Sequence, residues 1–204
     1  MNRFLHGVAR AVAESFPLPG PILEIGSYQV TGQEAIGNLR SLFPGRDYIG
    51  LDMRPGPGVD LVGNVEALDL PDASVGTVLA FSTFEHVKHF WRGFDEVRRV
   101  LRPDGVFVLS VPFNLHLHGY PSDYWRFTAE ALDVLLADHY PSRLLGQQGP
   151  KTKPHNVWAV AFRSRTAPAQ LETFRERMKI HAHEPLPWSR RLRYWLGRLV
   201  AGRR

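Results

Sequence analysis

The stretch ILEIGSYQVTG, residues 22–32, decides how the rest of the chain is read. Apolar residues around Glu24 lead to Gly26, the pattern of a buried strand that ends in a tight turn. A dinucleotide loop, G-x-G-x-x-G, needs its second and third glycines so that a pyrophosphate can approach the backbone. Here those positions hold Tyr28 and Thr31. A tyrosine at the point of closest approach would obstruct the phosphates. Glu24 argues the same way, because its carboxylate repels a phosphate and suits a ligand bearing an ammonium group.

Outward from this stretch, strand-like and helix-like segments alternate. PILEI (21–25), DYIGLD (47–52), VDLV (59–62), GTVLAF (76–81) and GVFVLSVP (105–112) read as strands, and SRLLGQQ (142–148) with NVWAVAFR (156–163) as a closing antiparallel pair. FLHGVARAVAESF (4–16), QEAIGNLRSLF (33–43), FWRGFDEVRRVL (90–101) and TAEALDVLLADHY (128–140) read as helices, the last opened by an N-capping Thr128. This order predicts an α/β fold: a three-layer Rossmann-like sandwich with a mostly parallel seven-stranded sheet and a helical C-terminal extension. Its ligand crevice should lie at the carboxyl ends of the first strands.

Four segments then carry a resemblance. LEIGSYQVTG (23–32), YIGLDMRPGPGVD (48–60), LAFSTFEHV (79–87) and VLRPDGVFVLSVP (100–112) resemble the successive motifs of class I S-adenosylmethionine-dependent methyltransferases. More narrowly, they resemble a branch with G-S-x-x-V-x-G in the first loop and G-P-G-V-D after the second strand. The resemblance runs through residues 20–162. It implies S-adenosylmethionine as cofactor, with Glu24, Gly26 and Ser27, in the loop that continues through Tyr28, lining the methionine moiety. It also implies that Asp52 accepts both hydrogen bonds of the ribose diol and that Met53 packs on the adenine. Asn64 stands where the family usually has an aspartate bonded to the adenine amino group, and the Val65 backbone would read the adenine edge. Ser82, Thr83, Phe84 and His86 would wall the sulfonium.

The loop NLHLHGYPSDYWRFT, 114–128, falls where an acceptor would bind. An oxygen acceptor of high pKa needs a general base, and His86, His116, His118 and Asp123 are the candidates. On an extended backbone His116 and His118 share a face, which could also hold a metal with Asp123. Three ligands cannot be placed from spacing alone and the implied fold needs none, so no metal is assigned. Tyr124, Trp125 and Arg126 would shape the acceptor pocket, or anchor the loop as buried aromatics do.

The absence of cysteine excludes disulfides, thiolate metal sites and a cysteine nucleophile. No apolar run approaches the roughly 18 residues of a membrane span, and the expected location is cytoplasmic. Charge divides the chain in two. Residues 1–162 hold 14 basic and 17 acidic side chains, a net of −3, whereas residues 163–204 hold 11 and 3, a net of +8. The first part is therefore the expected methyltransferase domain and the second a basic helical extension. In its last segment Leu192, Trp195, Leu196, Leu199 and Val200 form a stripe at helical spacing among arginines. Such a helix suits the inner face of an anionic membrane, a second subunit or the domain itself. The acceptor expected is a small molecule or glycan, methylated at oxygen. Two alternatives stay open: a catalytically silent cofactor-binding protein of the same fold, and an RNA methyltransferase, to which the acidic main domain is unsuited.

Overall fold

A computed structural model describes residues 1–119 and 121–182. Seven strands form one sheet in the order β3-β2-β1-β4-β5-β7-β6. They are β1 (Ile22–Ile25), β2 (Tyr48–Asp52), β3 (Leu61–Val62), β4 (Val75–Phe81), β5 (Leu101–Pro112), β6 (Ser142–Gln148) and β7 (Asn156–Phe162). The first five run parallel, and β7 pairs antiparallel with both β5 and β6. The chain order reverses between β1 and β4, and such a switch point opens a crevice at the carboxyl ends of the strands.

Alternation along the strands builds two cores. Leu23, Ile25, Leu51, Val78, Ala80, Phe107 and Leu109 face α3 (Phe90–Val100) and α4 (Ala129–Ala137). Ile22, Leu79, Phe81, Val106, Val108 and Val160 face α1 (Arg3–Ser15) and α5 (Pro168–His181). The central strands β1, β4 and β7 are buried along their whole length, as strands covered on both faces must be. Thr128 caps α4 by accepting a hydrogen bond from Ala131 N–H at 3.0 Å.

Two elements differ from the sequence reading. The helix expected over 33–43 is a four-residue α2 (Glu34–Gly37) followed by a 3₁₀ turn at Leu39–Leu42. Gly37 is a poor helix interior residue, and Leu39 and Phe43, not a continuous stripe, reach the core. The strand expected from residue 105 begins at Leu101, directly after α3. Its register jumps from Val75↔Leu101 to Thr77↔Val106, so Arg-Pro-Asp-Gly (102–105) loops out of the ladder.

The start of the extension is built into the domain. α5 lies along α1, where Phe174 contacts Phe16 and Trp158 at ring-centroid distances of 5.4 and 5.9 Å. At Gly7 an added Cβ would meet the His181 carbonyl oxygen at 2.1 Å, so glycine permits the close helix approach. Glu14 receives Arg177 at 3.3 Å and His181 at 2.8 Å. Among the described residues no helix is long and apolar enough to cross a membrane. The basic stripe after residue 186 lies outside the described residues.

Phe174→Ala should therefore cost about 3–5 kcal/mol of stability in urea unfolding, as for a phenylalanine removed from a packed core. A loss below about 1 kcal/mol would show that α5 is not part of the cooperative unit.

Candidate functional site

The site forms where the loops after β1, β2 and β4 meet. Gly26 opens the first loop at φ +81°, and a Cβ there would meet Thr83 Oγ1 at 2.4 Å. The N–H groups of Gly26 and Ser27 donate to the Leu51 carbonyl at 2.8 and 3.1 Å, which ties the loop to the end of β2. Thr83 Oγ1 donates to the Ile25 carbonyl from the other side at 3.0 Å.

Tyr28 is turned away from the place a phosphate would occupy. Its ring lies over Gly56, where a Cβ would fall 2.3 Å from Cε2, and the Arg54 guanidinium stacks on it at 4.5 Å. Its backbone N–H donates to Asp52 Oδ2 at 3.3 Å. Gly58, at φ +85°, leaves room for the Ser27 carbonyl and Gln29, and Gly50 leaves room for the Gly58 carbonyl, which an added Cβ would meet at 2.0 Å. The Gly-Pro-Gly loop thus exists in this form because the first loop is threaded against it.

A cavity of about 290 Å³ lies over these loops, at the lower end of ligand-sized clefts. Glu24, Gly26, Tyr28, Asp52, Met53, Val65, Ser82, Thr83, His86 and His118 are among its lining residues. Of the other predicted site residues, Ser27 is buried beside Gly50, and Phe84 is a core residue stacked edge-on with Phe94 and Phe107. Asn64 is exposed, and its amide oxygen accepts a hydrogen bond from Glu66 N–H at 2.9 Å. Ser82 sits at φ +54°, a costly conformation for a residue with a Cβ, and its N–H donates to the Ser110 carbonyl at 2.8 Å.

The electrostatics are set by two buried carboxylates. Glu24 accepts a hydrogen bond from the Tyr48 hydroxyl at 2.7 Å. Burial nevertheless raises its pKa from 4.5 to about 7, with the tyrosine bond opposing. Glu85, fully buried in the 3₁₀ turn Phe84–His86, is raised by burial to about 8. Among the described residues, neither of its carboxylate oxygens has a hydrogen-bond partner. The sequence reading did not single out Glu85. Its only signal was a charge between Phe84 and His86 directly after a buried strand.

The acceptor loop comes in two parts. His118 reaches the cavity, while His116 is exposed with its ring 6.3 Å from that of His118. Asp123 sits behind His118. Arg126 clamps it with both terminal nitrogens, which holds its carboxyl far below the usual carboxylate range. The Trp125 indole N–H donates to the Val87 carbonyl at 3.0 Å, and its ring packs on Phe90. None of Tyr124, Trp125 and Arg126 lines the cavity, so this trio anchors the loop instead of forming the expected pocket wall.

Residues 34–109 match the family described as a methyltransferase domain. A probable S-adenosylmethionine-dependent methyltransferase of Mycolicibacterium smegmatis is 36% identical over 96 residues, covering 45% of this chain and 37% of its own length. The chain thus spans little more than a third of that relative. Among solved structures, the Burkholderia thailandensis 1,6-didemethyltoxoflavin-N1-methyltransferase superposes with a TM-score of 0.60 at 19% identity, over 78% of this chain and 77% of that one. That structure holds 1,6-didemethyltoxoflavin and S-adenosylhomocysteine. The CurJ carbon methyltransferase gives a TM-score of 0.54 at 15% identity, over 74% and 50% of the two chains. At these identities the likeness is one of fold.

An ammonium group held at Glu24 would bind in a pH-dependent way, and the sign follows from the raised pKa of that carboxyl. Protonated below about 7, it is neutral toward an ammonium. Ionised above, it attracts one. Affinity for S-adenosylmethionine, read by titration calorimetry, should therefore rise between roughly pH 5.5 and 7.5, and Glu24→Gln should flatten the rise. The same group makes folding less favourable as pH rises from 4.5 to about 7, because the buried charged form is disfavoured. An equally steep rise in Glu24→Gln would place the titrating group elsewhere.

Proposed function

We propose that the domain is a class I S-adenosylmethionine-dependent methyltransferase and that it transfers a methyl group to a hydroxyl of a small-molecule or glycan-type acceptor. The observation that carries the cofactor half of this reading is the buried Glu24 carboxylate on the cavity wall, beside a first loop shaped by Tyr28. That combination suits an ammonium and leaves no phosphate cradle. The residues present fit the cofactor in kind: Glu24 for its ammonium, Asp52 for the ribose diol, and Met53, Leu51 and Val65 for the adenine. When bound, S-adenosylmethionine supplies an electrophilic methyl group.

The chain's own task is then to position the acceptor and exclude water. Asp52 is already held from two sides, by Tyr28 N–H at 3.3 Å and Arg54 N–H at 3.0 Å, so its carboxylate needs little reorganisation to accept a diol. Ser82 and Thr83 border the cavity at the end of β4. His86 and His118 face it from the acceptor side, and burial holds the His86 imidazole below its ordinary pKa and therefore neutral. Oxygen as the methylated atom rests on these two imidazoles as groups suited to hold a hydroxyl and its proton.

Asp52→Ala should weaken S-adenosylhomocysteine binding by about 1.5–3 kcal/mol, roughly ten- to a hundredfold, through the loss of two charge-assisted hydrogen bonds. Unchanged affinity would put the ribose elsewhere. Transfer of labelled methyl from S-adenosylmethionine to a panel of hydroxylated small molecules and glycans tests the activity. Tight cofactor binding with no transfer to any acceptor class would favour a silent binding protein.

The basic segment after residue 186 we assign to weak contact with an anionic membrane surface. The full chain should bind phosphatidylserine vesicles at low salt and release them at high salt, and removing residues 186–204 should abolish binding without changing cofactor affinity. Full-length protein that ignores such vesicles would remove the membrane role.

A further inference from the structure

Glu85 is a buried carboxylate to which the methyl-transfer reading gives no part. It is completely buried, and neither of its oxygens accepts a hydrogen bond from any of the described residues. An uncompensated buried carboxylate is costly, and folds retain one where something balances it. Met1's amino group acts on it electrostatically but donates it no hydrogen bond. Its neighbours are more telling. His86 Nε2 lies 3.7 Å from Glu85 Oε1, and the rings of His86 and His118 meet edge-to-face at 4.9 Å. One ligand atom from each of Glu85, His86 and His118 lies within 4.8 Å of the other two.

The two imidazoles are also oriented alike. His86 Nδ1–H donates to the Ser122 carbonyl at 2.6 Å. His118 Nδ1 lies 3.0 Å from Asp123 Oδ2 and 3.2 Å from the His116 carbonyl, both acceptors, so it too carries the hydrogen. In each neutral ring the lone pair then belongs to Nε2. A histidine whose Nδ1–H is held by a carboxylate or carbonyl is the usual outer-sphere arrangement of a metal ligand, and Asp123, itself fixed by Arg126, plays that part for His118. Arg126 is committed to Asp123 and donates nothing to Glu85.

We propose that Glu85, His86 and His118 form a binding site for a divalent first-row transition metal at the acceptor side of the cavity. Two imidazoles and one carboxylate are a ligand set for zinc, iron, cobalt or nickel, not for calcium or magnesium. Ligation at about 2.0–2.2 Å would set the three donor atoms roughly 3.3 Å apart, so the longest separation must close by about 1.5 Å, within reach of side-chain torsions. Two of the three ligands line the cavity, leaving the remaining positions toward it. The site deepens the proposed function and rests on it in one respect only: with the metal bound, the Lewis acid replaces the two imidazoles as the group that takes the acceptor oxygen, and it eases loss of that oxygen's proton to solvent. That oxygen then forms its bond to the methyl carbon as the bond from sulfur breaks. The trio differs from His116, His118 and Asp123, which the sequence suggested for a metal and set aside, because Asp123 serves Arg126 and His116 points elsewhere.

The test uses the full-length, tag-free chain, dialysed against chelator and titrated with Zn²⁺ by calorimetry and with Co²⁺ by visible absorption. One equivalent should bind with a micromolar or tighter dissociation constant, and Co²⁺ should give the spectrum of a low-coordination nitrogen–oxygen site. Glu85→Gln and His118→Ala should each weaken binding at least tenfold. Glu85→Gln should keep its affinity for S-adenosylhomocysteine within a few-fold. If Glu85→Gln fails to fold, His118→Ala carries the comparison. Absence of stoichiometric binding, or binding that survives both substitutions, overturns the site. Metal binding without any S-adenosylhomocysteine binding would instead defeat the cofactor reading and leave the metal site standing.

Discussion

The structure depends on how two loops share space at the end of β2. Asp52 ends that strand, and its carboxylate accepts the N–H of Tyr28 from the loop after β1. The Leu51 carbonyl accepts two further N–H groups from the same loop. These bonds draw the loops so close that side chains are excluded at three positions. A Cβ at Gly50, Gly56 or Gly58 would fall between 2.0 and 2.6 Å from a backbone carbonyl or the Tyr28 ring. Gly56 is therefore the steric complement of Tyr28, and Gly58 that of the Ser27 carbonyl beside it. Replacing Tyr28 alone would leave a gap over Gly56, and replacing Gly56 alone would displace the ring.

This interlock explains what the sequence revealed and what it concealed. The sheet was legible because each strand announced itself by an apolar run and a turn residue, and because the four motifs come in register. The cavity wall at Glu24 and Asp52 was legible for the same reason: strand ends point into the crevice of a parallel sheet. Tyr28 reads in the sequence as an obstacle to a pyrophosphate, whereas its ring lies over Gly56. Its actual direction was not legible, because it is set by Gly56 and Arg54 some 25 residues on. The helix over 33–43 was over-read, since Ile36, Leu39 and Phe43 have helical spacing but Gly37 stops the turn between them. Phe84 looked like a wall residue because it follows the fourth strand, yet packing with Phe94 and Phe107 claims it for the core.

The missed residue, Glu85, was hidden by a different mechanism. Its neighbours Phe84 and Val87 are buried, and a charge between them has no periodicity that marks it as inward. Only the 3₁₀ turn rotates its side chain into the protein. The turn is held from the acceptor loop, whose Tyr124 and Trp125 N–H groups both donate to the Glu85 carbonyl, at 2.8 and 3.2 Å. The Trp125 indole closes the contact on Val87. The aromatic cluster read as a pocket wall thus works at one remove, by fixing the turn that presents His86.

A division of labour follows between the two buried carboxylates. Glu24 faces a cavity, accepts the Tyr48 hydroxyl, and can meet a mobile cation that arrives with a ligand. Glu85 lies beside His86 and has no donor among the described residues, so whatever balances it must be small enough to enter between two imidazoles. A proton satisfies the first condition of charge but would leave one oxygen still without a donor. A metal ion satisfies both oxygen and charge, and draws on the Nε2 lone pairs that Ser122, His116 and Asp123 have already oriented. The hydrogen bonds around His86 and His118 thus suit the proposed inorganic cation, next to a carboxylate at Glu24 that suits an organic one.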